Sequence, residues 1–257
     1  MDTRIRDQFI ELWGRYFPGA EPPIVFYYSD DVGDAELVPA PKGHQCFIAQ
    51  LAAVRGGRPC SFNANSIACG GGKRYLGFTE ELAPNFEYFL SCGIPGKLEG
   101  ERYKKSPELV RELMEKAPHV AAPAPYIVFK RWDQLVADDA PEVVIFFVRA
   151  DVLSGLFTLA NFEESAIDGV FTPFCAGCGS IVHYPFLEKE RERPRAVLGM
   201  FDVSARPCVQ EDILTFAVPM SKFTRMVSDV KESFLTTSSW GKVRTRIARE
   251  HPSSEIG

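Results

Sequence analysis

The sequence predicts a mixed α/β (α+β) fold, built as a degenerate tandem duplication of strand–helix units with pseudo-twofold packing. Three observations lead there. Apolar runs of strand length alternate with segments whose apolar residues recur at helical spacing. A stretch near the middle, Ala117–Pro125, carries three prolines and several alanines, the composition of a linker between halves. Segments after it also resemble segments before it. Ile24–Tyr28 parallels Val144–Val148, Leu76-Gly77-Phe78 parallels Leu198-Gly199-Met200, and Ile94-Pro95 parallels Val218-Pro219. The spacing within these pairs grows by small steps, the trace that insertions leave in a duplication. The expected division is 1–120, with an N-terminal helix, and 121–257, with a C-terminal one, as halves of one globular unit. Halves related in this way bury the same face of each, and the cleft on their axis suits a ligand.

Each element follows from its local pattern. Ile5, Phe9, Ile10, Leu12, Trp13 and Phe17 mark a helix over Thr3–Phe17, stopped by Pro18-Gly19. Ile24–Tyr28 reads as a buried strand. His44–Val54 reads as a helix ended by Gly56-Gly57. Cys69–Phe78, with three consecutive glycines, reads as a loop feeding a short strand, and Phe86–Ile94 as extended chain. Ser106-Pro107 opens a helix to about Lys116, with proline in its first turn. Beyond the linker, strands are expected at Tyr126–Phe129, Glu142–Val148, Asp168–Phe171, Ala196–Phe201 and Ile213–Val218. Helices are expected at Val152–Phe162, after the turns that begin at Cys175, from Pro219 to about Phe234, and over Trp240–Arg249.

Composition narrows the setting. Of 257 residues, 46% are hydrophobic and 25% charged, so a packed core is expected rather than disorder. The net charge of -5 lacks the broad positive field that nucleic acid binding needs. The longest apolar runs are strand-sized, far short of a membrane span. Residues 1–7 carry no apolar run after their charges, so no targeting segment is expected there and the cytoplasm is the expected compartment. In that compartment the seven cysteines are expected as thiols or metal ligands rather than disulfides. Composition leaves a homo-oligomer open.

The chemistry-bearing residues are cysteines and glycines. Cys175-Ala176-Gly177-Cys178 is a C-x-x-C at a helix start, open to metal binding, to redox pairing or to plain packing. Cys69-Gly70-Gly71-Gly72-Lys73 sets a thiol beside backbone that can form an anion nest. Arg206, in Asp202-Val203-Ser204-Ala205-Arg206, can fork an anion or pair locally with Asp202. Cys46, Cys69, Cys92 and Cys178 together would form a thiolate tetrad for zinc or an iron–sulfur cluster. Cys60 and Cys208 stand beside prolines and read as structural. His44 and His183 are auxiliary candidates.

The series Cys46–Leu51, Cys69–Phe78, Phe86–Lys97, Pro141–Phe147, Gly177–Val182, Ser204-Ala205-Arg206 and Leu214–Met220 resembles the uncharacterised archaeal-conserved-region family, domain of unknown function 169. The likeness runs from about Pro22 to Arg249. It implies one continuous duplicated unit and brings no established activity. Relatives joined to ferredoxin-like modules imply a redox or metal setting by analogy. Cys178 lies inside the family-like stretch and Cys175 has no place in it, which favours Cys178 acting with distant partners. The leading expectation is therefore a metal- or iron–sulfur-binding protein with its site between the halves and a redox partner. A non-catalytic module for a small anionic ligand, using Gly70, Gly71, Gly72, Lys73 and Arg206, is the alternative. A thiol enzyme with Cys178 as nucleophile is a third.

Overall fold

Eight strands form a single sheet with the order β2-β3-β4-β1-β5-β8-β7-β6. The structure, a computed structural model, describes residues 1–250. The strands are β1 (Ile24–Ser29), β2 (Glu36–Leu37), β3 (Cys60–Phe62), β4 (Tyr126–Arg131), β5 (Val143–Val148), β6 (Val170–Phe171), β7 (Ala196–Gly199) and β8 (Leu214–Pro219). Read outward from the centre, the order is β1-β4-β3-β2 on one side and β5-β8-β7-β6 on the other. The central pair β1/β5 is antiparallel, and only the outermost pairs, β2/β3 and β6/β7, are parallel.

Parallel neighbours need a crossover, and helices supply it in both blocks. In the first block these are α2 (Phe47–Gln50) and α3 (Ala52–Arg55). In the second they are a π-helix, Gly179–His183, continuing into α8 (Tyr184–Glu188). Both crossovers lie on one face of the sheet, where Phe47, Ile48, Leu51, Ile181, Val182 and Phe186 pack with Phe26, Phe129, Ile145 and Ala217. The other face is covered by α1 (Thr3–Tyr16), α7 (Ala150–Ala160), α9 (Met220–Asp229) and α10 (Ser238–Glu250).

Helix α1 is capped by Asp2, whose carboxylate accepts from the Arg4 N–H, and it buries Phe9, Leu12, Trp13 and Tyr16. Each such side chain contributes about 1.5–3 kcal/mol through the area it removes from water. The Trp240 indole donates to the Tyr16 carbonyl at 3.1 Å and joins α10 to α1. Gly155 on α7 lets that ring approach, because a Cβ there would lie 2.5 Å from it.

Several expectations are corrected. Cys69–Phe78 is not a loop feeding a strand: Gly70–Tyr75 is a helix, α4, with Cys69 as its N-cap. The glycines are helical because the Cys69 thiol accepts the Gly72 N–H and Gly72 needs no Cβ where Ile67 and Phe47 close in. Phe86–Ile94 is not extended: Phe86–Phe89 forms the short helix α5, followed by a loop closed by an Ile94–Leu98 bridge. The helix expected over His44–Val54 begins at Phe47 and is divided at Leu51 into α2 and α3. The one expected from Pro219 stops at Asp229.

The sheet runs unbroken across both halves. β4 lies beyond residue 121 and yet pairs with β1 and β3, so the 120/121 boundary falls inside the first four-strand block. Of the three matched segment pairs, only Ile24–Tyr28 and Val144–Val148 lie on equivalently placed strands. Leu76-Gly77 ends a helix while Leu198-Gly199 ends β7, and Ile94-Pro95 lies in a loop while Val218-Pro219 ends β8. Among the described residues no helix is long and apolar enough to cross a membrane.

Candidate functional site

The two crossovers and α4 start close together on the same face, and cysteines stand at each start. Cys46 is the N-cap of α2, Cys69 the N-cap of α4, and Cys178 immediately precedes the π-helix. Glycines permit the approach. A Cβ on Gly177 would lie 3.3 Å from Ile48 Cγ1, 3.1 Å from Ala205 Cβ and 3.3 Å from Met200 Sδ. One on Gly179 would lie 2.9 Å from Tyr75 Cε1 and 3.1 Å from Cys175 Cβ. The 200–208 turn, which closes the junction, is held at its start by Asp202. The Asp202 carboxylate accepts the Gly177 N–H at 3.0 Å and the Ser204 hydroxyl at 2.8 Å. Met200 enters the turn in the left-handed region, at φ 73°, a strained conformation for a side-chain-bearing residue.

Five of the seven cysteines thus gather in one neighbourhood. Burial pushes the Cys178 thiol well above its ordinary pKa, and the neighbouring Cys69, Cys175 and Cys46 add to the shift. Cys175 is pushed up to about 12 by burial, with the Asp202 carboxylate adding to it. Burial also raises Cys46, and the neighbouring Cys208 thiol adds to the shift. Thiols so placed are protonated near neutrality, so the arrangement does not activate Cys178 as a nucleophile.

The aromatic and imidazole groups beside them are neutral as well. Burial raises Tyr75. It lowers His183, whose Nε2 lies 2.9 Å from the Pro118 carbonyl and whose ring meets Tyr75 edge-on at 5.7 Å. A π-helix at this point carries its own hint, because such segments concentrate at functional sites. Phe174, Phe201 and Val203 stand exposed in the segments that flank Cys175 and Asp202, and the Lys104 ammonium lies 3.9 Å over the Phe174 ring.

Among the expected ligands, Cys46, Cys69 and Cys178 do come together, with Cys175 beside them. Cys92 does not. The loop after α5 turns it outward, where it is exposed in a surface hollow with Lys97 and Arg102. Cys60 is buried in β3 with its thiol on the Arg58 carbonyl. Cys208, read as structural, belongs to the gathering. The signal that could have placed it is its position just after the Asp202–Arg206 turn, which sequence alone does not tie to Gly177. Among the described residues no group of three or more histidine, cysteine or carboxylate side chains could hold a metal ion.

The residues expected at an anion site divide between α4, which holds Gly70, Gly71, Gly72 and Lys73, and the 200–208 turn, which holds Arg206. The Arg206 guanidinium is taken up by the carbonyls of Met200, Gln210, Glu211 and Ile213. Arg206 forms no side-chain pair with Asp202: it locks the turn through carbonyls instead.

A family model for DUF169, described as an uncharacterised ArCR, matches residues 20–229. The chain belongs to this family. No curated protein and no solved structure matches it. The DUF169 match spans every described strand and every cysteine, so the thiol junction lies wholly inside the family unit.

Proposed function

We propose that this DUF169 protein holds a thiophilic metal ion or a small iron–sulfur cluster at the junction, with Cys46, Cys69 and Cys178 as ligands and Cys175 as the fourth. One observation carries the reading. Sulfurs far apart in the chain, from both blocks of the sheet, lie close enough to oppose one another's ionisation. The donor set fits such a guest. Thiolates are soft ligands suited to zinc and iron–sulfur clusters, and Cys69 already receives a backbone N–H at 3.4 Å, the bond that steadies a ligand thiolate. Binding requires the thiols to lose their protons and turn toward a common point, as metal sites that form on loading do. The strand order supports reading the chain as a degenerate duplication, with the junction where its two equivalent crossovers meet.

The test is anaerobic purification with iron and sulfide analysis, together with cobalt(II) titration of the metal-free chain. The expected results are bound iron, or a saturable thiolate-to-cobalt charge-transfer band, diminished in Cys178→Ser and Cys69→Ser. A colourless, correctly folded chain that also gives no cobalt band would end the reading.

A further inference from the structure

Between α4 and β4 the chain makes an excursion that the sheet does not hold. Residues 81–117 comprise α5, the closed loop after it and α6 (Pro107–Lys116). None of them belongs to either apolar core of the sheet. Among the described residues, the one hydrogen bond that leaves the segment runs from the Glu81 N–H to the Thr79 hydroxyl at its edge. Its ion pairs, Arg111 with Glu87 and Glu108 and Lys116 with Glu112, are internal. The segment is tied to itself instead. The N–H groups of Glu101, Arg102 and Lys104 donate to the carbonyls of Phe89, Ser91 and Leu90 at 2.7, 3.0 and 3.1 Å. Gly93 and Gly100 lie against each other, since a Cβ on Gly100 would stand 2.2 Å from the Gly93 nitrogen. Helices α5 and α6 pack chiefly on one another, and of their residues only Val110 is buried.

The two feet of this excursion are fixed. Leu76 and Phe78 at one end, and Val120 at the other, pack into the core beneath the crossovers. The Ala122 N–H donates to the Gly77 carbonyl at 2.9 Å, and a Cβ on Gly77 would lie 2.4 Å from the Ala122 nitrogen. His183 Nε2 lies 2.9 Å from the Pro118 carbonyl. Between feet and body the connectors, 79–83 and 117–120, are neither helix nor strand, the kind of backbone that absorbs a hinge rotation. The body touches the second block where the Lys104 ammonium lies 3.9 Å over the half-exposed ring of Phe174, the residue before Cys175.

We infer that residues 81–117 are a flap, hinged on these connectors, that swings off Phe174 and gates entry to the thiol junction. The flap rests on geometry alone: a self-contained body, fixed feet, and a cation–π contact as latch. Its role as a gate rests on the metal-binding reading. A segment with few buried apolar contacts to its surroundings opens at lower free energy than the core does. Opening here breaks the Lys104–Phe174 contact and leaves every bond within the flap, and every bond of the sheet, in place.

Two measurements on the full chain test this. In hydrogen exchange followed by mass spectrometry, peptides from 86–116 should exchange as one unit, at least about a hundred-fold faster than those of β5. Protection equal to that of β5 would overturn the flap. In stopped-flow mixing with cobalt(II), Lys104→Gln should reach the same final charge-transfer band as wild type. Its uptake should be about two- to five-fold faster, the factor that an exposed cation–π contact is worth. Phe174→Leu, which removes the other half of the contact, should do the same. Uptake at the wild-type rate in both variants, with a full band, would overturn the gate. A chain that gives no cobalt band while 86–116 exchanges fast would sink the metal reading, and the gate with it, and leave the flap standing.

Discussion

Each thiol's behaviour follows from where the fold leaves its sulfur. Cys92 is exposed, whereas Cys178 is buried and raised well above its ordinary pKa by burial and by its sulfur neighbours. Alkylation requires both access and thiolate. With iodoacetamide at neutral pH, followed by peptide mapping, Cys92 should be modified first, and Cys175 and Cys178 only when the chain is unfolded. Rapid labelling of Cys178 in the native protein would restore the thiol-enzyme reading that its surroundings argue against. The sequence brought Cys46, Cys69 and Cys178 into one set because all three stand beside glycines or helix starts. It also included Cys92, since nothing in the run Phe86–Ile94 announces that the chain curls into α5 and a closed loop.

Among the elements, the π-helix depends on one small residue. Gly199 ends β7 directly beneath it, and a Cβ there would lie 2.0 Å from Ser180 Oγ and 2.8 Å from Thr215 Oγ1. Gly199→Ala should therefore cost about 1–3 kcal/mol through overpacking, seen as a lowered urea midpoint. Gly70→Ala, on α4, meets nothing within 4 Å. It should be neutral or stabilising by up to about 1 kcal/mol, since alanine favours helix over glycine. Equal effects at the two positions would refute the packing argument. Strands and long helices were legible because their apolar period decides them. α1, β1, β5, α6 (Pro107–Lys116) and α10 lie close to where the pattern puts them. The triple glycine misled because helix propensity is a weak prior. A capping thiol and close neighbours outweigh it at α4. β2 and β3 escaped notice because two or three residues show no period.

At the scale of the whole molecule, one buried ion pair joins β4 to the segment before β5 and to the N-terminus. Lys130, almost fully buried, lies 2.7 Å from Asp139 and 2.5 Å from Asp34, and the Tyr27 hydroxyl donates to Asp139 at 2.5 Å. The Met1 ammonium donates to the Asp139 carbonyl at 2.7 Å. Burial opposes both charges. The bonds from Lys130, Tyr27 and the Val136 N–H outweigh it and hold the Asp139 carboxyl below its usual range. Asp139 and Asp34 likewise hold Lys130 above its own. The contribution of Asp139 is thus complete above about pH 3.9 and lost as pH falls through its lower folded value. That of Lys130 is complete below about pH 10.4 and lost as pH rises past its higher one. Between those limits stability should be flat as far as this pair is concerned. Asp139→Asn, which leaves the buried ammonium only the exposed Asp34 as a charged partner, should cost about 3–5 kcal/mol in chemical denaturation. A loss below about 1 kcal/mol would mean that Asp34 alone suffices.

The sheet also ends in a particular way. Its outermost strands, β2 and β6, are two residues long, and each lies parallel to a neighbour that is itself brief. A border so short offers an incoming chain almost no row of free backbone groups to zip onto. Growth of the sheet by stacking copies side by side is therefore discouraged at both margins, and the long, wholly apolar strands that would be dangerous there, above all Val143–Val148, are kept at the centre.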